Sequence, residues 1–138
     1  MKIVFITGAY GQLGSICINY LKSYFNIIST GLHTSDDGIQ LDITDSKITE
    51  NLVVHIRPDV ILNLAAMTNV DGCETDPEMA EAINVDGVKN LCKSFDGHFI
   101  QISTDYVFDG AEGPYGEDDG TNPISVYGQT KLAADEWL

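Results

Sequence analysis

Short runs of β-branched and aliphatic residues recur along the chain, each followed by a stretch in which apolar positions return every three or four residues. The alternation predicts strands interleaved with helices. Residues 2–7 form the first predicted strand, which stops at Gly8 as a buried strand entering a tight turn does. From Gly11 onward Leu13, Ile16, Cys17, Tyr20, Leu21 and Tyr24 recur at helical spacing, predicting a helix that lays this stripe on the sheet. Asn26–Gly31 reads as a second strand, residues 33–38 as a polar loop and 39–41 as a short third strand. Asp45 or Ser46 can cap a helix carrying Ile48, Leu52, Val53 and Ile56, which Pro58 ends. Residues 59–64 are the next buried strand.

Asp76-Pro77-Glu78 supplies an N-cap, a proline at the first helical position and an acid in the first turn, predicting a helix to about Ser94. Residues 98–103 are a further strand. Residues 104–123 then form a Gly-, Pro- and Asp-rich loop of a length that is usually functional or disordered. The last helix, 125–138, is still running at the final residue, which suggests a fragment or a chain lacking a partner domain. Strands alternating with helices imply parallel pairing through right-handed crossovers, hence an α/β fold with a doubly wound parallel sheet in one domain, 1–138.

Charge narrows the partners. Seven Lys and Arg against 21 Asp and Glu give a net charge of −14, which argues against nucleic acid or an anionic membrane held through a basic surface. A small phosphate can still be held by backbone N–H groups at a helix N-terminus. The apolar run at residues 3–6 is too short for a signal-peptide core, and the stretch around 60–67 contains Asn63 and is far short of a membrane span. Cys17, Cys73 and Cys92 form no C-x-x-C pair, so a reducing, cytoplasmic setting is expected. The three histidines are equally scattered, and no metal is expected.

Two local patterns carry chemistry. Gly8, Gly11 and Gly14 sit between the first strand and first helix, where glycines allow a tight turn, close approach to a pyrophosphate and close helix packing. The spacing G-x-x-G-x-x-G departs from the usual dinucleotide fingerprint. The second strand ends at Gly31-Leu32-His33 without the expected ribose acid; Asp36 and Asp37 come late, and no Arg is near for a 2′-phosphate. NADH and NADPH therefore both remain open. Asp42 can contact an adenine amino group or be a solvated loop acid. Further on, Tyr127 and Lys131 are four apart at the start of the last helix and so share a face. A phenol with a pKa of about 10 is a poor proton carrier at neutral pH, and an adjacent ammonium brings it toward the working range. Ser103-Thr104 precedes them at the carboxyl end of a strand, where such sheets place their ligands. Hydroxyl, phenol and lysine together suit protonating a carbonyl during hydride delivery.

With these residues in view, the sequence resembles the extended short-chain dehydrogenase/reductase family, and within it the dTDP-4-dehydrorhamnose reductases. The resemblance rests on Gly8-Ala9-Tyr10-Gly11-Gln12-Leu13-Gly14, on Pro58 to Ala66, on Ser103-Thr104-Asp105-Tyr106-Val107-Phe108-Asp109-Gly110 and on Tyr127-Gly128-Gln129-Thr130-Lys131-Leu132. It implies a Rossmann-like domain lacking the C-terminal substrate domain, and a cytoplasmic NADPH- or NADH-dependent reductase of a 4-keto-6-deoxy nucleotide sugar in polysaccharide precursor synthesis. By the same resemblance Thr104, Tyr127 and Lys131 are the catalytic triad, with Tyr127 giving the proton, Thr104 binding the sugar carbonyl and Lys131 holding the nicotinamide ribose. Gly8, Gly11, Gln12 and Leu13 face the pyrophosphate; Asp42 and Ile43 flank adenine; Ala65, Ala66 and Thr68 line the cofactor path. Asp105 and Tyr106 lie close to the substrate sugar, or are a turn-forming acid and a packing aromatic. Asn84 matches a helix asparagine that holds backbone or water near the catalytic strand. Exposed edges would favour association, which allows a homodimer. The same resemblance admits a non-catalytic NAD(P)-binding regulatory subunit like that of methionine adenosyltransferase, or a nucleotide-sugar epimerase or dehydratase.

Overall fold

The computed structural model describes residues 1–34 and 37–138, so Asp36, weighed above as a late acid, lies outside the described residues. β1 (Ile3–Thr7), β2 (Asn26–Gly31), β3 (Ile39–Gln40), β4 (Val60–Asn63) and β5 (His98–Gln101) form one sheet in the order β3-β2-β1-β4-β5. Every pairing is parallel, as the strand–helix alternation predicted. The order reverses between β1 and β4, and a crevice opens at such a switch point beyond the carboxyl ends of the strands.

Alternate residues of the buried strands feed two cores. Val4, Ile6 and Leu62 face α1 (Gln12–Leu21), while Phe5 and Ile61 join Leu41, Ile43, Val53 and Leu91 on the side of α2 (Ser46–Ile56) and α5 (Gly87–Cys92). The stripe expected on α1 holds at two of its six positions, Cys17 and Leu21, and Ile18 joins them from outside it. Cys17, Ile18 and Leu21 pack on the sheet, but Leu13, Ile16, Tyr20 and Tyr24 are exposed, Tyr20 by 76%. The cause is Gly14: a Cβ there would lie 2.5 Å from the Gly8 carbonyl oxygen and 2.6 Å from that of Ala9. The bare glycine face is the one that meets the β1 turn, and this contact fixes the helix rotation.

Caps explain most boundaries. The Asp45 carboxylate accepts the Ile48 N–H at 2.9 Å to start α2, and left-handed Arg57 (φ 51°) ends it before Pro58. Asn69 caps a short α3 (Val70–Thr75) that the hydrophobic pattern does not signal. Asp76 caps α4 (Pro77–Glu81) as expected. The helix expected to run on to Ser94 instead passes through a π-helical turn, Ala82–Asp86, before α5. Such wide turns mark places where a helix re-aims a side chain, and here that side chain is Asn84. Ser125 caps α6 (Val126–Trp137), and the Glu74 carboxylate on α3 accepts the Val126 N–H at 2.7 Å.

The loop 104–123 has its own frame. Asp109 accepts from the Tyr115 hydroxyl at 2.6 Å, the Ala111 N–H at 2.9 Å and the Asn122 amide at 3.0 Å. Phe108 stacks on Tyr115 with ring centroids 4.5 Å apart. The Asn122 N–H returns to the Val107 carbonyl at 2.9 Å, so the loop closes beside α6.

Candidate active site

The crevice is a groove of about 730 Å³. Its floor is tied together by polar side chains across three strand ends: Thr7 donates to Asn63 at 2.5 Å, and Asn63 donates to Gln101 at 2.7 Å. Thr7 also accepts from the Leu64 and Ala65 N–H groups, which turns the chain after β4 back toward the glycine loop. Gly8 is required at this crossing. It sits at φ +60°, and a Cβ would lie 2.7 Å from the Leu64 carbonyl group. Its carbonyl accepts the Gly11 N–H at 3.1 Å. Unlike α2, α3 and α6, α1 has no side chain capping its N-terminus. Its first N–H groups stay available to an anion.

The groove brings together Gly8, Gly11, Asp42, Ile43, Ala65, Ala66 and Thr68 from the residues the sequence singled out. It also takes in Tyr10, the β2 end at Gly31, Leu32 and His33, and Met79 and Ile83 from the helical run. Met79 and Ile83 carried no sequence signal; Gly31, Leu32 and His33 are the strand end at which a ribose acid was expected, and Tyr10, within the glycine motif, packs its ring against Gly31 and covers Gly38 with its hydroxyl. Among the described residues, no Lys or Arg lines the groove. Gln12 and Leu13 are outside its lining. Leu13 is 47% exposed because Gly14 sets the rotation of α1, so what these two positions bring to an anion is main-chain N–H. Asp42 is largely occupied, its Oδ1 accepting the Thr44 N–H at 2.9 Å and hydroxyl at 2.7 Å. Ile43 is buried in the core against Gly87 and reaches the groove from within.

Thr104, Tyr127 and Lys131 lie outside that lining, around the carboxyl end of β5 and the first turns of α6. Lys131 is 3% exposed, and its ammonium donates to the Ile102 carbonyl at 2.5 Å, two residues before Thr104. Burial pulls its pKa below the ordinary lysine value, and the Asp135 carboxylate opposes that pull. Tyr127 is half-buried and meets Tyr106 edge to face, with centroids 5.5 Å apart. The Thr104 hydroxyl accepts the Tyr106 N–H at 3.2 Å. Asp105 and Tyr106 are exposed. The Tyr106 carbonyl lies so close to α6 that a Cβ on Gly128 would be 2.3 Å from it. A glycine inside a helix costs about 1 kcal/mol against alanine, and that local anomaly is the signal by which Gly128 could have been found.

Asn84 is the other residue whose part the spacing alone does not give. It is 1% exposed; its Oδ1 accepts the Met67 N–H at 2.8 Å, and its amide donates to the Met67 carbonyl at 3.1 Å and the Thr130 hydroxyl at 3.0 Å. Thr130 in turn donates to the Tyr127 carbonyl at 3.0 Å. One side chain on the π turn thus ties the segment after β4 to the turn of α6 between Tyr127 and Lys131.

Sheet order, switch-point crevice and glycine turn are those of a Rossmann-like domain. The chain belongs to the RmlD substrate binding domain family, which it matches over residues 1–138. It is 44% identical over 134 residues to the dTDP-4-dehydrorhamnose reductase of Streptomyces griseus, covering 94% of this chain and 42% of that protein. It is 34% identical over 138 residues to methionine adenosyltransferase 2 subunit beta of Bos taurus, covering 96% and 40%. Among solved structures, a hypothetical dTDP-4-dehydrorhamnose reductase from Sulfolobus tokodaii superposes with TM-score 0.93 at 40% identity, covering 99% of this chain and 51% of that one. The dTDP-4-dehydrorhamnose reductase of Bacillus anthracis, in complex with NADP, superposes with TM-score 0.88 at 34% identity, covering 99% and 48%. The chain spans about half the length of the relatives it matches.

Proposed function

We propose that the protein carrying this chain reduces a 4-keto-6-deoxy nucleotide sugar with NADPH or NADH. The observation that carries this reading is the placement of Lys131, buried and bonded to the Ile102 carbonyl beside Thr104, one helical turn from Tyr127. The groove fits a dinucleotide by its donor set. Free N–H groups at the α1 N-terminus suit the pyrophosphate, and the small residues Ala65, Ala66 and Thr68 leave room along the strand ends toward β5. When bound, the dinucleotide supplies the hydride. Thr104 hydrogen-bonds the ketone oxygen, Tyr127 donates the proton to that oxygen, and the Lys131 ammonium lowers the cost of the phenolate left behind. In this reading Asp105 and Tyr106, exposed beside Thr104, meet the sugar.

The test is loss of reduced-nicotinamide absorbance with a dTDP-4-keto-6-deoxy sugar. Tyr127→Phe is expected to lower turnover by roughly 100-fold or more while cofactor affinity changes little; no turnover by the parent protein sinks the reading. A second reading, a non-catalytic NAD(P)-binding regulatory subunit, is favoured by the similarity to methionine adenosyltransferase 2 subunit beta. A stable complex with a synthetase whose regulation survives Tyr127→Phe would select it.

A further inference from the structure

The residue one turn beyond Lys131 on α6 is Asp135. Its carboxylate accepts a short hydrogen bond from the Ser103 hydroxyl, while Lys131 itself donates to the carbonyl of Ile102. Two successive turns of α6 are thereby fastened to two successive residues of the strand end that presents Thr104. We propose that Asp135 is a positioning residue: held in place by Ser103, its carboxylate keeps the buried Lys131 in the ammonium form and fixes α6 against the Ser103-Thr104 segment.

Burial makes such a partner matter to Lys131. Lys131 is 3% exposed, and a buried ammonium with one neutral carbonyl for company is costly to keep charged. The elements packed against this end of α6 carry other acids: Asp71 and Glu74 on α3, Glu78 and Glu81 on α4, Asp86 on the π turn, and Asp105 in the turn after β5. Glu74 is engaged with the Val126 N–H, whereas Asp135 lies four residues beyond Lys131 on the same helix and so on the same face, where its charge raises the lysine's proton affinity against the pull of burial. Ser103 matters because an unfastened aspartate on a half-exposed helix surface turns to solvent, where water screens its charge. Tyr127, one turn before Lys131 on the same face, gains from the arrangement only while Lys131 stays protonated.

This rests on the reading of Lys131 as the group that tunes Tyr127, but its test needs neither cofactor nor substrate and so stands or falls apart from the reductase assay. The chain is labelled with 13C-lysine and the Lys131 side-chain resonance, assigned by its loss in Lys131→Arg, is followed through alkaline pH. Asp135→Asn keeps the size of the side chain and removes the charge; the proton affinity of Lys131 is expected to fall roughly tenfold. Asp135→Glu is expected to recover most of that fall, and Ser103→Ala, which frees the carboxylate, to produce a smaller fall in the same direction. An unchanged Lys131 titration in Asp135→Asn overturns the proposal. Should that variant not fold, an unchanged titration in Ser103→Ala overturns it equally.

Discussion

Asn84→Asp exchanges an amide for a carboxyl of the same size at a site with 1% exposure. The Met67 N–H keeps its acceptor at Oδ1, but the two donations from the amide, to the Met67 carbonyl and to Thr130, are lost. At about 1 kcal/mol for each lost bond, and with a buried carboxylate now facing a carbonyl oxygen, the ionised variant is expected to be about 3 kcal/mol less stable. Domains of this kind have only about 5–15 kcal/mol in hand. Burial among acceptors raises the folded-state pKa of the new carboxyl above its unfolded value of about 3.9. The penalty is therefore smallest below about pH 4 and grows as pH rises through the raised value. Protonated, the carboxyl can donate one bond again, leaving a cost of about 1 kcal/mol. The assay is urea unfolding, followed by Trp137 fluorescence and circular dichroism, at about pH 4 and about pH 8. A loss under about 1 kcal/mol at the higher pH, or the same loss at both, would refute the account of Asn84 as the buried tie between the segment after β4 and α6.

Gly14→Ala puts a methyl group 2.5 Å from a backbone oxygen that cannot swing aside; overpacking of about 1–3 kcal/mol outweighs the gain in helix propensity of about 1 kcal/mol, and the midpoint of urea unfolding should fall. The same change at Gly120, where nothing lies within 4 Å, should be nearly silent. Asp109 is held down to about 2 by its bonds from Tyr115, Ala111 and Asn122. The stability it lends the loop is thus complete above the ordinary aspartate value and lost as pH falls from about 4 to about 2; the protection of the Ala111 N–H against hydrogen exchange, relative to an unstructured peptide at the same pH, should fall over that range in the parent chain and not in Asp109→Asn. Burial pushes the Cys92 thiol up to about 11, so its alkylation by iodoacetamide at about pH 8 should run about two orders of magnitude below that of an unperturbed cysteine, read by peptide mass spectrometry.

The parallel sheet could be read from the sequence because each βα unit announces itself locally. Residues 2–7, 26–31 and 59–64 are apolar runs ended by turn residues, and Asp45, Asp76 and Ser125 are caps that act on neighbours three residues away. What eluded the pattern is set by contacts far apart in sequence. The rotation of α1 depends on Gly14 meeting the Gly8 turn, which leaves Ile16 and Tyr20 in solvent despite their spacing. The π turn exists to aim Asn84 at residues 17 and 46 positions away, and no periodicity encodes that. Within the groove, the glycine turn and the residues after β4 were legible because motif and strand end coincide. Met79 and Ile83 were not, since they reach it from a separate helical run through the crossovers. Gln12 and Leu13 were placed by motif position, which does not distinguish a side chain that faces a ligand from a backbone that does.

A groove with no lysine or arginine among the described residues of its walls gives this chain an unusual latitude. Peptide N–H groups survive every change of side chain except one to proline, and they owe nothing to the sign of the surrounding surface. The exterior is accordingly free to gather carboxylates, to the extent of a net −14, without eroding the local grip on an anion. The repulsion that such a surface sets up reaches only about 8 Å at physiological salt, so it slows the approach of a charged ligand in dilute buffer and fades in brine.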